Sequence, residues 1–309
     1  MRKVSVIGAG NVGSTVANEL ARREIAQVCL VDVVEGFAQG KALDMAQAGP
    51  ILGYGALLSG DQSLDAVRES DVVVITAGAR RKPGMSRAEL LSINAGVVAG
   101  ICRDVKKHAP AAVVIVVTNP LDVMCYVAKK STGFPRDRVL GMAGMLDSAR
   151  MAAFVAMELG ISPVDVRAMV LGGHGESMVP VVDFASVNGV PIRQLLSEEK
   201  IEAIVERTRK GGGEIVSLLQ TLSAFYAPGA GAARMVEAVL TGRSILVPAS
   251  VWATGEYGIK DTFVGLPVIV GEGGLKKVLE LDLDEAALKG LKSSADSVRA
   301  GIDALSSEG

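Results

Sequence analysis

The apolar positions in the first half of the chain fall into short unbroken runs, separated by longer stretches of helical spacing. Residues 4–7, 28–31, 71–76 and 112–118 are nearly continuous in valine and isoleucine, the pattern of strands buried on both faces. Between them, residues 12–23, 36–48, 89–108 and 121–131 read as helices. Strand and helix in turn predict βαβ units and a parallel sheet. Right-handed crossovers then place the binding loops at the carboxyl ends of the strands. The second half changes character. Residues 146–159 predict an Ala- and Met-rich helix, and 166–171 a strand. Asn188-Gly189, inside 178–192, is a hairpin signal. A long helix over 198–222 contains Gly211, Gly212 and Gly213, which cost helix stability and mark a bend or close packing. Pro228 breaks the pattern. Strands at 244–251 and 262–270 follow, joined around Tyr257-Gly258, and a charged amphipathic helix spans 284–305. This half predicts an antiparallel sheet with helices.

Composition narrows the function classes. With 309 residues and 49% apolar positions, the chain can build two domains or one large one, and disorder is excluded. The 32 basic residues are balanced by 34 acidic ones, so nothing favours nucleic acid or an anionic membrane as partner. The longest charge-free stretch, 215–233, contains Gln220, Thr221, Pro228 and two glycines, a poor membrane span. Arg2-Lys3 before the uncharged run 4–18 imitates a signal peptide, but Asn11, Asn18 and three glycines dilute it. Cys29, Cys102 and Cys125 have no CxxC spacing, so reduced thiols in a cytoplasmic protein are expected, and no metal site.

Gly8-Ala9-Gly10-Asn11-Val12-Gly13 follows the first strand and opens a helix. The first glycine permits the tight turn, the second lets a pyrophosphate approach the backbone, and the third lets helix pack on strand. The helix N-terminus offers free N–H groups and partial positive charge. Asp32 ends the second strand, where a carboxylate accepts hydrogen bonds from the adenosine ribose and repels a 2′-phosphate. Together these predict dinucleotide binding, with NAD favoured over NADP.

Four further segments carry candidate chemistry. Residues 76–87 follow a parallel strand and include Arg80, Arg81, Lys82 and Arg87, a basic loop suited to an anion or simply a solvated one. Thr118-Asn119-Pro120-Leu121-Asp122 ends the next strand on the same rim; Asn119 can donate and accept near substrate, though an Asn at such a turn is common. Asp147 and Arg150 share a helix face and can form a plain intrahelical ion pair. His174 lies within Gly172-Gly173-His174-Gly175-Glu176, with room for a ligand beside the ring, though a lone histidine is more often a satisfied structural one. The other histidine, His108, reads as a surface or capping residue.

Taken together and in order, these segments resemble the malate dehydrogenases of the lactate dehydrogenase-like group over essentially all 309 residues. Residues 31–36 and 39–45 match the family's second strand and helix, and Ser223-Ala224-Phe225-Tyr226-Ala227-Pro228 matches a late substrate-side segment. Leu222 departs from the usual glycine, which bears on local helix packing and removes no polar group from the site. The resemblance implies an α/β fold: an N-terminal Rossmann doubly wound parallel sheet over 1–143 and a C-terminal α+β substrate domain over 144–309. It implies oxidation of (S)-malate to oxaloacetate in the tricarboxylic acid cycle, and a homo-oligomer, tetramer or dimer. By resemblance His174 is the base, Asp147 orients it, and Arg150 holds the substrate 1-carboxylate. Arg87 polarises the reacting oxygen, and Asn119 bonds the substrate. Gly8 to Gly13, Asp32, Asn94 and the backbone of Val117, Thr118 and Asn119 serve the cofactor. Alignment on Pro83-Gly84 and Arg87 selects Arg81, with Arg80 and Lys82 as competitors, to meet the second carboxylate that malate has and lactate lacks. A lactate dehydrogenase and a non-catalytic NAD-binding protein remain as alternatives.

Overall fold

The nearly continuous Val/Ile runs become central strands because both faces of their sheet are covered. The computed structural model describes residues 1–79 and 85–307, without the side chains of Arg87 and of 306–307. Six strands come first: β1 (Lys3–Ile7), β2 (Gln27–Val31), β3 (Leu58–Asp61), β4 (Val72–Ile75), β5 (Val113–Val116) and β6 (Val139–Gly141). The helices between them are α1 (Asn11–Arg23), α2 (Phe37–Leu52), α3 (Arg87–His108) and α4 (Leu121–Thr132). All six strands are parallel in the order β3-β2-β1-β4-β5-β6, so the chain reverses winding direction at β1/β4. That switch point is where doubly wound sheets bind ligands. Alternate residues of one strand enter opposite cores. Val4, Val6, Val72 and Val74 pack on one face, and Ile7, Val73 and Ile75 on the other.

The second half supplies α5 (Gly144–Leu159), α6 (Glu198–Leu219), α7 (Tyr226–Thr241) and α8 (Glu285–Ser307). The predicted strand at 166–171 divides into two short pieces, β7 (Val166–Arg167) and β8 (Val170–Leu171), which join different sheets. β8 pairs with β9 (Val179–Pro180). Asn188-Gly189 makes the expected hairpin between β10 (Ser186–Val187) and β11 (Val190–Pro191), both turn residues having positive φ, 46° and 89°. The long antiparallel strands β12 (Ile245–Thr254) and β13 (Lys260–Gly271) are followed by β14 (Gly274–Val278).

Further features differ from the sequence-based expectation. The halves share one nine-stranded sheet, because β12 pairs antiparallel with β6 through Ser250 and Gly141. Helix α7 exists where Pro228 was read as a break. Pro228 sits in the first turn, where N–H groups have no intrahelical partner, so proline costs no hydrogen bond there. His108 is buried rather than on the surface, with Nε2 2.9 Å from the Asp65 carboxylate. Helix α6 ends at Leu219, so Leu222 lies beyond it, half-buried on the way to α7.

Candidate active site

The phosphate cradle has the three glycine roles that its spacing demands. Gly8 has φ +99°, and a Cβ there would lie 2.7 Å from Ala77 N. A Cβ on Gly13 would lie 1.8 Å from the Gly8 carbonyl oxygen, so only glycine lets α1 start this close to β1. Gly10 faces open space, with nothing within 4 Å of a Cβ position. Helix α1 has no side-chain cap on Gly10, so its first N–H groups remain for a ligand. Two glycines are spent on packing and one leaves room, which fits a pyrophosphate. Asp32 follows β2, half-buried beside this loop. Its Oδ2 accepts from Ala9 N at 2.8 Å and its Oδ1 from Val34 N at 3.1 Å.

The rim beyond β4 and β5 is stitched by side chains. Thr76 Oγ1 donates to the Gly8 carbonyl at 2.9 Å, and Thr118 Oγ1 to the Ala77 carbonyl at 2.7 Å. Asn94 is buried on α3. Its Oδ1 accepts from Ala79 N at 2.7 Å and its Nδ2 donates to the Asn119 carbonyl at 2.7 Å. The amide thereby braces the loops after β4 and β5 against each other. Val117 and Thr118 are buried, and Asn119 is exposed at the rim. Helix α3 begins with a capping box. Ser86 Oγ accepts from Glu89 N, and the Glu89 carboxylate accepts from Ser86 N. The cap fixes Arg87 as the first helical residue. Arg81 and the Arg87 side chain lie outside the described residues.

At the carboxyl edge, α5 and the loop after β8 bring three candidate residues together. The His174 Nδ1–H donates to Asp147 Oδ2 at 2.9 Å, and Arg150 Nη1 donates to Asp147 Oδ1 at 3.2 Å. Asp147 is 2% exposed on its side chain and His174 16%, so the carboxylate is buried and the ring reaches the surface. Nε2 is left as the ring nitrogen free to work. Burial of the ring opposes its positive form. The Asp147 charge, the hydrogen bond to it and the charge of Asp122 overcome that, against Arg150, and raise the imidazole above its ordinary pKa. Arg150 and His174 line a cleft of about 1140 Å³, with Arg207, Arg209 and Lys210 of α6 among the residues across it. Gly211 explains part of the glycine run in α6. A Cβ there would lie 2.3 Å from Arg150 Cδ, so the helix gives way to the arginine.

Sequence reading missed the supports of the His174 loop. Gly173 N donates to Ser294 Oγ of α8 at 2.6 Å, and His174 N donates to Asp122 Oδ2 at 2.8 Å. Gly172 pairs with Gly265 of β13, and a Cβ on Gly265 would lie 2.4 Å from the Gly172 oxygen. No local signal announces Ser294 or Gly265. Asp122 was visible only as the end of a motif.

Residues 2–141 match the model of the lactate/malate dehydrogenase NAD-binding domain, and 144–308 that of the lactate/malate dehydrogenase α/β C-terminal domain. The chain belongs to the lactate/malate dehydrogenase family. It is an NAD-dependent oxidoreductase of that family. A malate dehydrogenase of Thermomicrobium roseum is 54% identical over 98% of both chains. The apo malate dehydrogenase of Picrophilus torridus superposes with TM-score 0.96 at 42% identity, covering 100% of this chain and 99% of that one. A lactate dehydrogenase of Cryptosporidium parvum, solved with lactic acid and nicotinamide adenine dinucleotide, superposes with TM-score 0.94 at 40% identity over 99% and 98%. Both substrate classes of the family therefore share this backbone, and the choice between them rests on side chains.

Proposed function

We infer that this chain is an NAD-dependent malate dehydrogenase, interconverting (S)-malate and oxaloacetate. The single observation that carries the 2-hydroxy acid dehydrogenase chemistry is the Arg150–Asp147–His174 chain at the edge of a dinucleotide fold; the curated relatives at 54% and 50% identity, both malate dehydrogenases, support malate as the substrate. His174 Nε2 takes the C2 hydroxyl proton as the C2 hydride leaves, and returns a proton in the reverse direction. The bound nicotinamide supplies the hydride acceptor. Asp147 fixes the tautomer by accepting from Nδ1 and stabilises the imidazolium that forms. Arg150 holds the 1-carboxylate as a planar fork. Arg87 polarises the reacting oxygen, Asn119 bonds the substrate, and Arg81 meets the distal carboxylate. Gly8, Ala9, Gly10, Asn11, Val12 and Gly13 cradle the pyrophosphate, and Asp32 takes the ribose. The backbone of Val117, Thr118 and Asn119 would hold the cofactor, and Asn94 would serve it by bracing that backbone at the Asn119 carbonyl. The family-model matches ending at 141 and starting at 144 support a cofactor half over 1–143 and a substrate half over 144–309.

The reaction fits a place in the tricarboxylic acid cycle. Three buried, free cysteines support a reducing, cytoplasmic setting. No described helix is long and apolar enough to cross a membrane. Leu43, Ile51 and Leu52 of α2, with Leu218 and Tyr226, are exposed apolar residues that suit subunit contacts, in a homotetramer rather than a dimer. Light scattering reads that state directly.

The direct test is NADH oxidation with oxaloacetate, pyruvate and 2-oxoglutarate side by side. Oxaloacetate is expected to dominate; pyruvate in its place would make the chain a lactate dehydrogenase. Asp32→Ala tests the ribose site separately. It removes an acceptor and a charge that repels a 2′-phosphate, so NAD binding weakens and NADP is rejected less. Unaltered affinities for both would take Asp32 away from the ribose.

A further inference from the structure

Asp122 is a buried carboxylate that the proton-transfer chemistry has not yet used. It stands in the first turn of α4, in the half that binds cofactor, yet both its partners lie in the other half. Ser250 Oγ of β12 donates to Oδ1 at 2.6 Å, and the main-chain N–H of His174 donates to Oδ2 at 2.8 Å. Each oxygen already accepts a hydrogen, the arrangement that an ionised carboxylate satisfies. Ser250 is also the residue that pairs β12 with β6. The contact thus ties the strand junction to the loop carrying the imidazole.

We propose that Asp122 is a positioning residue for proton transfer: it clamps the main chain of His174 and places a second buried negative charge beside the imidazole already paired with Asp147. The proposal rests on the reading of His174 as the base. Two consequences follow from the geometry. The clamp at the His174 N–H fixes the main chain from which the ring projects, and the bond at Nδ1 orients the ring itself. The charge stabilises the imidazolium over the neutral ring. The Asp122 carboxyl stands above its ordinary range: burial, with the Asp147 charge, pushes it up, and the Ser250 and His174 donors and the His174 charge offset only part of that. The other described charged groups facing the ring are few. Asp147 and Arg150 come from α5 and Glu176 from its own loop, while Glu206, Arg207, Arg209, Lys210 and Glu214 of α6 line the shared cleft. Among the groups acting on the imidazole, Asp147 and Asp122 stabilise the cation and Arg150 opposes it.

Asp122→Asn isolates the charge from the clamp. The amide oxygen still accepts from the His174 N–H, and the amide nitrogen donates to Ser250 Oγ, which can reverse its role. With only two histidines in the chain, ring-labelled histidine NMR reads the His174 titration in the intact protein, and His174→Asn assigns the signal. We expect the His174 pKa to fall by roughly 1 unit in Asp122→Asn, as for loss of a nearby opposite charge. The acid limb of kcat/KM for malate oxidation should move down with it, while the Kd for NAD stays. Ser250→Ala, which removes the donor holding Asp122 ionised, should shift the titration the same way by less, and stands in if Asp122→Asn does not fold. An unmoved or raised His174 pKa in the folded variant overturns the proposal. A His174→Asn enzyme that retains turnover would instead overturn the base reading, which the NMR titration does not touch.

Discussion

His174→Asn is expected to keep the fold and the affinity for NAD and to lose on the order of 10²–10⁴ in turnover, the usual share of general acid–base catalysis. Asparagine can still donate to Asp147 from its amide, so the buried carboxylate is not stranded, but no group remains that takes a proton at the position of Nε2. Asp147→Asn should lower turnover too, by presenting a donor where Nδ1–H needs an acceptor and by leaving the imidazolium unpaired. The pH dependence has a definite sign. Malate oxidation requires the neutral ring, so its rate rises as pH passes through the His174 pKa, which lies above the ordinary imidazole value. Oxaloacetate reduction requires the protonated ring and falls through the same point. Near-normal turnover in a folded His174→Asn enzyme, measured in both directions, would remove His174 from the chemistry.

Arg81→Gln should change the substrate rather than the reaction. Malate and oxaloacetate carry two carboxylates, lactate and pyruvate one. In the proposed arrangement Arg150 takes the 1-carboxylate and Arg87 the reacting oxygen, which leaves the distal carboxylate of oxaloacetate to Arg81. Removing one partner of a desolvated charge pair costs about 3–5 kcal/mol, roughly two to four powers of ten in kcat/KM. Pyruvate lacks the carboxylate and loses nothing. The oxaloacetate-to-pyruvate ratio of kcat/KM should therefore move toward pyruvate by orders of magnitude, while Arg150→Gln damages both substrates. Equal losses in Arg81→Gln would make Arg81 a general loop residue and deprive the malate assignment of its main physical support.

The parts of the site legible in the sequence are those with local causes. Gly8 and Gly13 are demanded by a turn and a close approach within a few residues, so their spacing alone announces the cradle. Asn188-Gly189 announces its hairpin for the same reason. Asp147 and His174 stand 27 residues apart, and only the family resemblance paired them before the fold did. The supports of the His174 loop reach further, 52 residues to Asp122 and 121 from Gly173 to Ser294. No periodicity carries contacts of that span. Among the elements, β3 escaped because an edge strand alternates in exposure and shows no apolar run, and β6 because it has three residues. Helix α7 escaped because a proline in a first turn resembles a proline that ends a helix.

The seam between β6 and β12 also has a meaning for how the protein is made. Synthesis delivers β6 early, and its antiparallel neighbour follows roughly 100 residues later, a delay of about 5–20 s at ribosomal rates. Throughout that interval the nascent parallel sheet presents an open edge to everything around it. An edge only three residues long, ending in Gly141, offers little template to a stray strand. The brevity that hid β6 from pattern reading is, on the ribosome, a safeguard against mispairing.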